Sequence, residues 1–374
     1  MWVWIIAFLS GLCFLLFAYP YLIYPCILRL VRVRPARTAP ADFDVSLLFC
    51  AYNEAASLPD KIENLRTLKK IRPDLEILAY DDCSNDGTAE LLARAGDLIR
   101  VVPGAGRTGK AAGMKRLAAL ASGDILVFTD ANVIFAPDAI EKLLPYYADS
   151  EVGGVCGTLR YLSDPVSSTA EIGSIYWRLD EKLRSLESAT GDVIGADGSI
   201  FSVRRSLYPT FPDTVLDDFT VSMSIIFAGK RLIKAPDALA FEKSVSDRGE
   251  EIRRKMRIGA RVYHTHLYLK PQLRRMTALN RFKYMSHKLL RWFGGVFLAL
   301  AVLFAAAAIA VVSLPALVIC LLAGALLLFV SLRTQSGIFA RVAEIPLEIF
   351  ATLIGVMQGW RGRTVATWSP AKSR

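Results

Sequence analysis

The stretch LIRVVPGAGRTGKAAG (residues 98–113) runs from a short β-branched segment into a glycine-rich loop that ends at Lys110. Gly104, Gly109 and Lys110 fit the phosphate-cradling loop G-x-x-x-x-G-K-[ST] at every place but the last. Position 111 is alanine, where that loop needs a hydroxyl for magnesium. Further on, ILVFTD (125–130) ends an apolar run in Asp130, as a second metal-holding motif would. Whether these residues belong to a nucleotide hydrolase or to another phosphate binder depends on what surrounds them.

What surrounds them is an alternation. VSLLFCAY (45–52), LEILAY (75–80), LIRVV (98–102) and DILVFTD (124–130) read as strands. Helical patterns follow at 56–70, 87–95, 110–121 and near 137–147. A βαβαβαβ series predicts an α/β body with a mostly parallel sheet covered on both faces. In such sheets ligands bind beyond the carboxyl ends of the strands. Asn53 and Glu54 follow the first strand, Asp81 and Asp82 open the turn DDCSNDGT (81–88), Lys110 follows the third, and Asp130 and Asn132 close the fourth. One polar strand end is ordinary; several meeting at one sheet edge mark a site.

Each piece has a chemistry. Lys110 can place a point charge on a diphosphate. Asp130, at the end of a buried strand, is a rigid hard-oxygen ligand, and Asn132 can add a carbonyl oxygen on the same side. Mg²⁺ or Mn²⁺ binds through one or two such groups plus substrate phosphates. A carboxylate at Asp81 or Asp82 can accept from a base or a ribose, although a strand-to-helix turn with Asp86 as N-cap explains the same residues. In the second half, YWRLDEKLRSLES (176–188) predicts an amphipathic helix. GDVIGADGSIFSVRRSLY (191–208) is a glycine-punctuated loop leading into a strand, and LDDFTVSMSIIFAGKRL (216–232) opens a helix with Asp217 and Asp218. Helix capping alone would account for that pair. RGEEIRRKMRIGAR (248–261) is a basic helix suited to a solvated or lipid-facing surface.

The apolar residues are unevenly placed. Residues 1–28 carry no charge, nor do 293–332, which break at SLP (313–315). A membrane helix needs about 20 apolar residues, so the first stretch spans once and the second holds a tight hairpin. The first lacks the basic start and small-residue cleavage site of a signal peptide, and reads as an uncleaved anchor. Arg29, Arg32, Arg34 and Arg37 after it, and Lys283, Lys288 and Arg291 before the hairpin, put both flanks in the cytoplasm. The stretch 342–360 contains Glu344, Pro346 and Glu348, with Arg361 and Arg363 beyond, and reads as an interfacial helix. The expected organisation is an anchor at 1–30, a cytosolic body at 44–285, and a membrane region at 286–374 that begins with the amphipathic KYMSHKLLRW (283–292). The net charge of +10 lies largely beside these segments, so membrane lipid, and no nucleic acid, is the expected partner. The six cysteines show no metal or disulfide spacing.

Taken in order, AYNE (51–54), DDCSNDGT, GKAAGMKRL (109–117), FTDAN (128–132), GADGSIFSVRR (195–205) and LDDF (216–219) resemble the motifs of the family 2 glycosyltransferases. The resemblance runs over essentially the whole chain and makes the triphosphatase match a coincidence. It implies a GT-A fold and an inverting transferase that uses a nucleotide-diphosphate sugar, with UDP the favoured nucleotide. It implies donor binding by Ala51, Tyr52, Asn53, Glu54, Asp81, Asp82, Lys110, Arg254 and Arg257, and a divalent ion, Mg²⁺ or Mn²⁺, at Asp130 and Asn132. Ala196, Asp197 and Gly198 fall on the acceptor side, and LDDF supplies the base, its second member Asp218, with Asp217 beside it. The chain departs from the polymer synthases of the family twice. Asn132 replaces the second aspartate of D-x-D, and Arg254–Ile258 stands where [QR]-x-x-R-W would, without the tryptophan. The expected function is transfer to a lipid-linked or saccharide acceptor in cell-surface polysaccharide assembly, alongside other assembly proteins. The alternatives are a processive synthase and a membrane scaffold built on an inactive transferase fold.

Overall fold

The computed structural model describes residues 1–162, 168–334, 337–363 and 367–371. Its strands are β1 (Val45–Ala51), β2 (Glu76–Asp81), β3 (Arg100–Pro103), β4 (Ile125–Asp130), β5 (Ile134–Phe135), β6 (Val152–Leu162), β7 (Phe201–Arg204) and β8 (Arg231–Lys243). They form one sheet in the order β3-β2-β1-β4-β7-β6-β8-β5. The first four are mutually parallel, as the alternation predicts. Beyond β4, β7 enters antiparallel to β4 and β6, and β5 is antiparallel to β8. All seven residues of β1 are buried, which is why it reads as an unbroken apolar run rather than an alternating one. Two apolar cores cover the two faces, one around Leu47, Phe49 and Val127, the other around Leu48, Leu126 and Phe128.

The chain leaves β1 toward β2 and β3 on one side, while β4 lies on the other, so a topological switch point falls between β1 and β4. Register then decides what meets there. Ala51 pairs with Asp81 across β1 and β2, and Cys50 pairs with Asp130 across β1 and β4. Motifs tens of residues apart thereby reach one edge.

The helices follow the expected periods with some changes of length. The pattern near 137–147 forms a short α-helix, Ala139–Leu143, that tightens into a 3₁₀ segment, Leu144–Ala148, containing Pro145. The helix opened by Asp217 ends at Phe227, and Arg231 starts β8. The turn after β2 uses Gly87, at φ 94°, as the residue before its helix. Asp86 instead accepts from Ala55 N–H and Thr88 N–H, tying the β1 and β2 loops together.

Among the described residues, three helices are long and apolar enough to cross a membrane: Trp2–Leu30, Gly294–Val312 and a third within Leu314–Arg333. The hairpin break is where the sequence places it, with Ser313 extended and its Oγ accepting from Ala316 N–H. The basic helix runs on to Leu273 and is not a solvated surface. It packs along Gly337–Trp360, backbone against backbone at Gly259 and Gly355, with Arg248 bonded to Glu344 at 2.7 Å and Lys255 to Glu348 at 3.3 Å. The acids that interrupt the last apolar stretch are therefore paired with this helix.

Candidate active site

The donor-side loops are built by side chains bonding to neighbouring backbone. Asn53, at φ 52°, donates its N–H to Ser84 Oγ, and its Oδ1 accepts from Asn85 N–H at 2.9 Å. Glu54 is buried, and its N–H donates to Thr88 Oγ1. Asp82 N–H donates to the Ala51 carbonyl. Asp81 accepts from the Ser84 hydroxyl at 2.5 Å. Asp82 is fully buried and accepts from Thr108 N–H at 2.7 Å and Gly109 N–H at 3.0 Å, so its carboxylate braces the glycine loop. Nothing in the spacing of residues 82 and 108–109 marks this loop and that aspartate as partners.

Two further residues at this edge escaped the motif reading. The Arg107 guanidinium lies 3.0 Å from the centroid of the Tyr52 ring and 3.4 Å from Asp82, and its Nη2 donates to the Trp368 carbonyl at 2.7 Å. Its Nη1 is buried with no hydrogen-bond acceptor among the described residues. Arg107 occupies a variable place in the glycine motif, and Trp368 arrives from the far end of the chain. Only the fold joins them.

Lys110 and Asp130 face each other directly, Nζ to Oδ1 at 2.5 Å. Burial opposes the lysine's charge, but Asp130, Asp217 and Asp218 outweigh it and hold its pKa above the ordinary lysine range. Asn132 turns its Nδ2 to Glu242 Oε1 at 2.9 Å. Arg254 reaches the same side: Glu251 at 3.1 Å is its strongest partner, and Tyr161 and Glu242 add to the hold. Arg257 is half-buried on the same helix.

Across the crevice lies the acidic pair. Asp217 is buried, 3.7 Å from the equally buried Arg261, whose guanidinium also bonds the Val215 carbonyl. Among the described residues Asp218 has no cation within salt-bridge distance. Its Oδ1 accepts from Phe219 N–H at 2.6 Å, and its pKa is raised to about 6 by burial first and by Asp217 second, against the pull of Lys110. The acceptor-side loop closes the gap. Ala196 N–H donates to Ser222 Oγ, and Asp197 Oδ1 accepts from Ser199 N–H. A side chain at Gly198 would meet Asp218 Oδ2 at 3.1 Å and Lys110 Nζ at 3.3 Å, so a larger residue there would crowd both groups. Lys110, Asp218, Gly198, Tyr208 and Phe128 line one small recess.

The divalent ion can be tested against this donor set. Among the described residues no group of three or more His, Cys, Asp or Glu side chains clusters to hold a metal. Asp130, one-third exposed, and the Asn132 amide oxygen remain. One carboxylate and one amide are too few for a resident ion, yet they suit one that arrives with a diphosphate supplying the other oxygens.

Residues 46–210 match the family model described as glycosyl transferase family 2. This body carries a family 2 glycosyltransferase domain. The transferase domain resembles Glycosyltransferase AglD of Haloferax volcanii at 29% identity over 36% of this chain and 22% of that protein. It resembles the undecaprenyl-phosphate 4-deoxy-4-formamido-L-arabinose transferase of Pectobacterium atrosepticum at 35% identity over 31% of this chain and 37% of the relative. The poly-beta-1,6-N-acetyl-D-glucosamine synthase of Staphylococcus aureus is 27% identical over 53% of this chain and 49% of its own. The chain thus spans from about a fifth to about half of these curated relatives. Among solved structures, the mannosyltransferase PcManGT of Pyrobaculum calidifontis, bound to GDP-Man and Mn²⁺, has a TM-score of 0.72 at 22% identity. It covers 96% of this chain and 100% of its own. That likeness shows the GT-A fold.

Proposed function

We propose that the protein is an inverting glycosyltransferase that moves a sugar from a nucleotide-diphosphate donor to a lipid-linked acceptor at the cytoplasmic membrane face. The observation that supports it most is one recess in which Asp218, with a pKa of about 6, faces Lys110, the ion-pair partner of Asp130, across Gly198. A base needs a pKa near the working pH, and burial beside Asp217 supplies one. Asp217, held by Arg261, raises that pKa and does not move a proton itself.

On this reading the nucleoside lies over Tyr52 and the loop fixed by Asp82, and the free Nη1 of Arg107 meets the donor. Lys110 turns from Asp130 to the diphosphate. Asp130 and Asn132 would hold Mg²⁺ or Mn²⁺, which when bound stabilises charge on the departing diphosphate. Asp218 takes the proton of the acceptor hydroxyl as it attacks the anomeric carbon from the opposite face, so an α-linked donor gives a β-linked product. The arrangement of Lys110 and Asp218 also speaks against an inactive scaffold.

The lipid-linked acceptor is supported by the three apolar helices and by the undecaprenyl-phosphate relative. Radiolabelled nucleotide sugars screened on isolated membranes, with and without EDTA, test the reading. Metal-dependent transfer of label into lipid extract is the expected result, and no incorporation from any donor would overturn it. The similarity to a polymer synthase favours a second reading, in which sugars are added successively. Against it stand Ile258, which offers no ring for a sugar to stack on, and the small number of spans. Mass spectrometry of the product at excess donor should show one added sugar; a ladder would favour the synthase.

A further inference from the structure

Beside the acceptor loop, residues ahead of the hairpin enter a buried ionic cluster. His287 presents one ring nitrogen to Glu187 at 2.9 Å and the other to Asp180 at 3.2 Å. Arg184 and Arg291 also bond Asp180, at 2.7 and 2.5 Å. Tyr24, from the first apolar helix, donates to Glu187. Lys283 donates to the carbonyls of Glu187 and Asp192. The acids here are spent on these neighbours.

Lys288 is the exception. Its ammonium has no carboxylate within salt-bridge distance among the described residues, and its nearest polar atom is His287 Nε2 at 3.4 Å. With a carboxylate at each ring nitrogen, His287 has little capacity left to accept from it. A π-helical turn, Met285–Leu289, carries Lys288. Such turns re-aim side chains and recur at functional sites. The side chain lies against Gly195, its Cε 3.5 Å from where a Cβ there would stand, and its Nζ is 5.7 Å from the ring of Phe219. Gly195, at φ 81°, starts the acceptor-side loop, and Phe219 is the residue after Asp218. Gly294, where the hairpin begins, is only six residues further on.

We propose that Lys288 binds the phosphate of the lipid-linked acceptor, placing the acceptor hydroxyl before Asp218. This rests on the lipid-linked reading above. An anion in direct contact is what the site lacks among the described residues: Asp180 and Glu187 act on this half-buried ammonium only from beyond salt-bridge distance, and it lies six residues before the hairpin. Burial also lowers the pKa of Lys288 to about 8, so pairing with a phosphate would favour its charged form. Lys110 and Arg107 serve the donor from the opposite wall, so the two phosphate sites are separable.

The test uses full-length protein in phosphatidylcholine nanodiscs, with undecaprenyl phosphate, undecaprenol, and UDP or GDP with Mn²⁺ as separate probes. Lys288→Gln should weaken undecaprenyl phosphate at least about tenfold and leave undecaprenol and nucleotide affinity unchanged, while Lys288→Arg stays close to wild type; tenfold corresponds to about 1.4 kcal/mol. Unchanged undecaprenyl phosphate binding by a folded Lys288→Gln protein would overturn the assignment. Equal loss of nucleotide binding would move Lys288 to the donor site and also overturn it. If the wild type itself binds undecaprenol as tightly as its phosphate, the lipid-phosphate reading fails, and the role of Lys288 with it.

Discussion

The two walls of the recess are made in different ways. The donor wall consists of strand ends and the short loops beyond them, each bonded to the next through backbone groups: Asp82 to Gly109, Asn53 to Asn85, Glu54 to Thr88. The acceptor wall consists of a helix start, a glycine loop and juxtamembrane residues, joined by buried charges such as Asp180, Glu187 and His287. These contacts lie within the sheet and its loops, with Trp368 added from the far end of the chain against Arg107. The acceptor wall includes Tyr24 and Arg291, which belong to or adjoin apolar helices, so its geometry depends on how those helices seat. This difference suits a protein whose donor is water-soluble and whose acceptor is held in lipid.

The largest effect is expected at Asp218, where the walls meet. Asp218→Asn should lower transfer by roughly 10²–10⁴-fold, the range for losing a general base, while donor affinity holds. A parallel loss of donor affinity would put Asp218 on the donor wall. With a pKa of about 6, wild-type turnover at saturating donor should fall as pH drops through that value, because the base becomes protonated. The effect on stability runs the other way. A carboxyl whose pKa is raised on folding binds more protons in the native state, so this group's contribution to stability declines as pH rises from the ordinary carboxylate range through about 6. Asp218→Asn should therefore flatten both pH profiles.

Next comes the interior of the acceptor wall. Asp180→Asn leaves Arg184, Arg291 and His287 without a shared anion. Breaking a buried pair costs about 3–5 kcal/mol, so thermal unfolding of the detergent-purified protein should shift down by several degrees. Nucleotide affinity of the protein that remains folded should change little. A large loss of nucleotide binding with unchanged melting would show that the walls are not independent.

The donor wall should respond in the opposite sense. Asp130→Ala should lower metal-dependent nucleotide affinity by at least about 10–100-fold, since losing even a partner that merely orients a metal ligand costs that much. Melting in EDTA should shift only modestly, since Asp130 is one-third exposed. Unchanged EDTA sensitivity would remove Asp130 from the metal site.

How much of this was legible in the sequence follows the same division. The βαβ alternation and the carboxyl-end residues declared the donor wall, because strand period and strand-end position are local properties. The pairing of Lys110 with Asp130 was not legible: each was read as a separate ligand for phosphate and metal, and only the register of β1 against β4 brings them together. Arg107 was inside the quoted stretch but at a place where its motif tolerates anything. Lys288 was read as a topology marker, since a basic residue before a span has that bland explanation. That no carboxylate among the described residues bonds it directly appears only once Asp180 and Glu187 are seen bonded to other groups. The basic helix reads as a solvated or lipid-facing surface, and its packing is hidden because its acidic partners Glu344 and Glu348 lie about ninety residues away.

The smallest expected effect concerns the aspartate this chain does not have. Restoring D-x-D with Asn132→Asp adds a hard oxygen where the divalent ion is proposed to bind, which should tighten metal-dependent nucleotide binding. The present amide, however, donates to Glu242 Oε1 at 2.9 Å, and a carboxylate in its place would face that oxygen with like charge. Without metal, the pair should share a proton or swing apart, and one buried hydrogen bond is lost, at about 1 kcal/mol. With metal bound, the ion offsets the repulsion. The two contributions nearly cancel, so nucleotide affinity at saturating Mn²⁺ should rise by no more than about threefold, within about 0.7 kcal/mol. The Mn²⁺ concentration needed for half-maximal binding should fall, and melting in EDTA should drop slightly. A variant that binds nucleotide less well at every Mn²⁺ concentration would mean that the Asn132–Glu242 bond, rather than a metal contact, is what this position supplies to the donor wall.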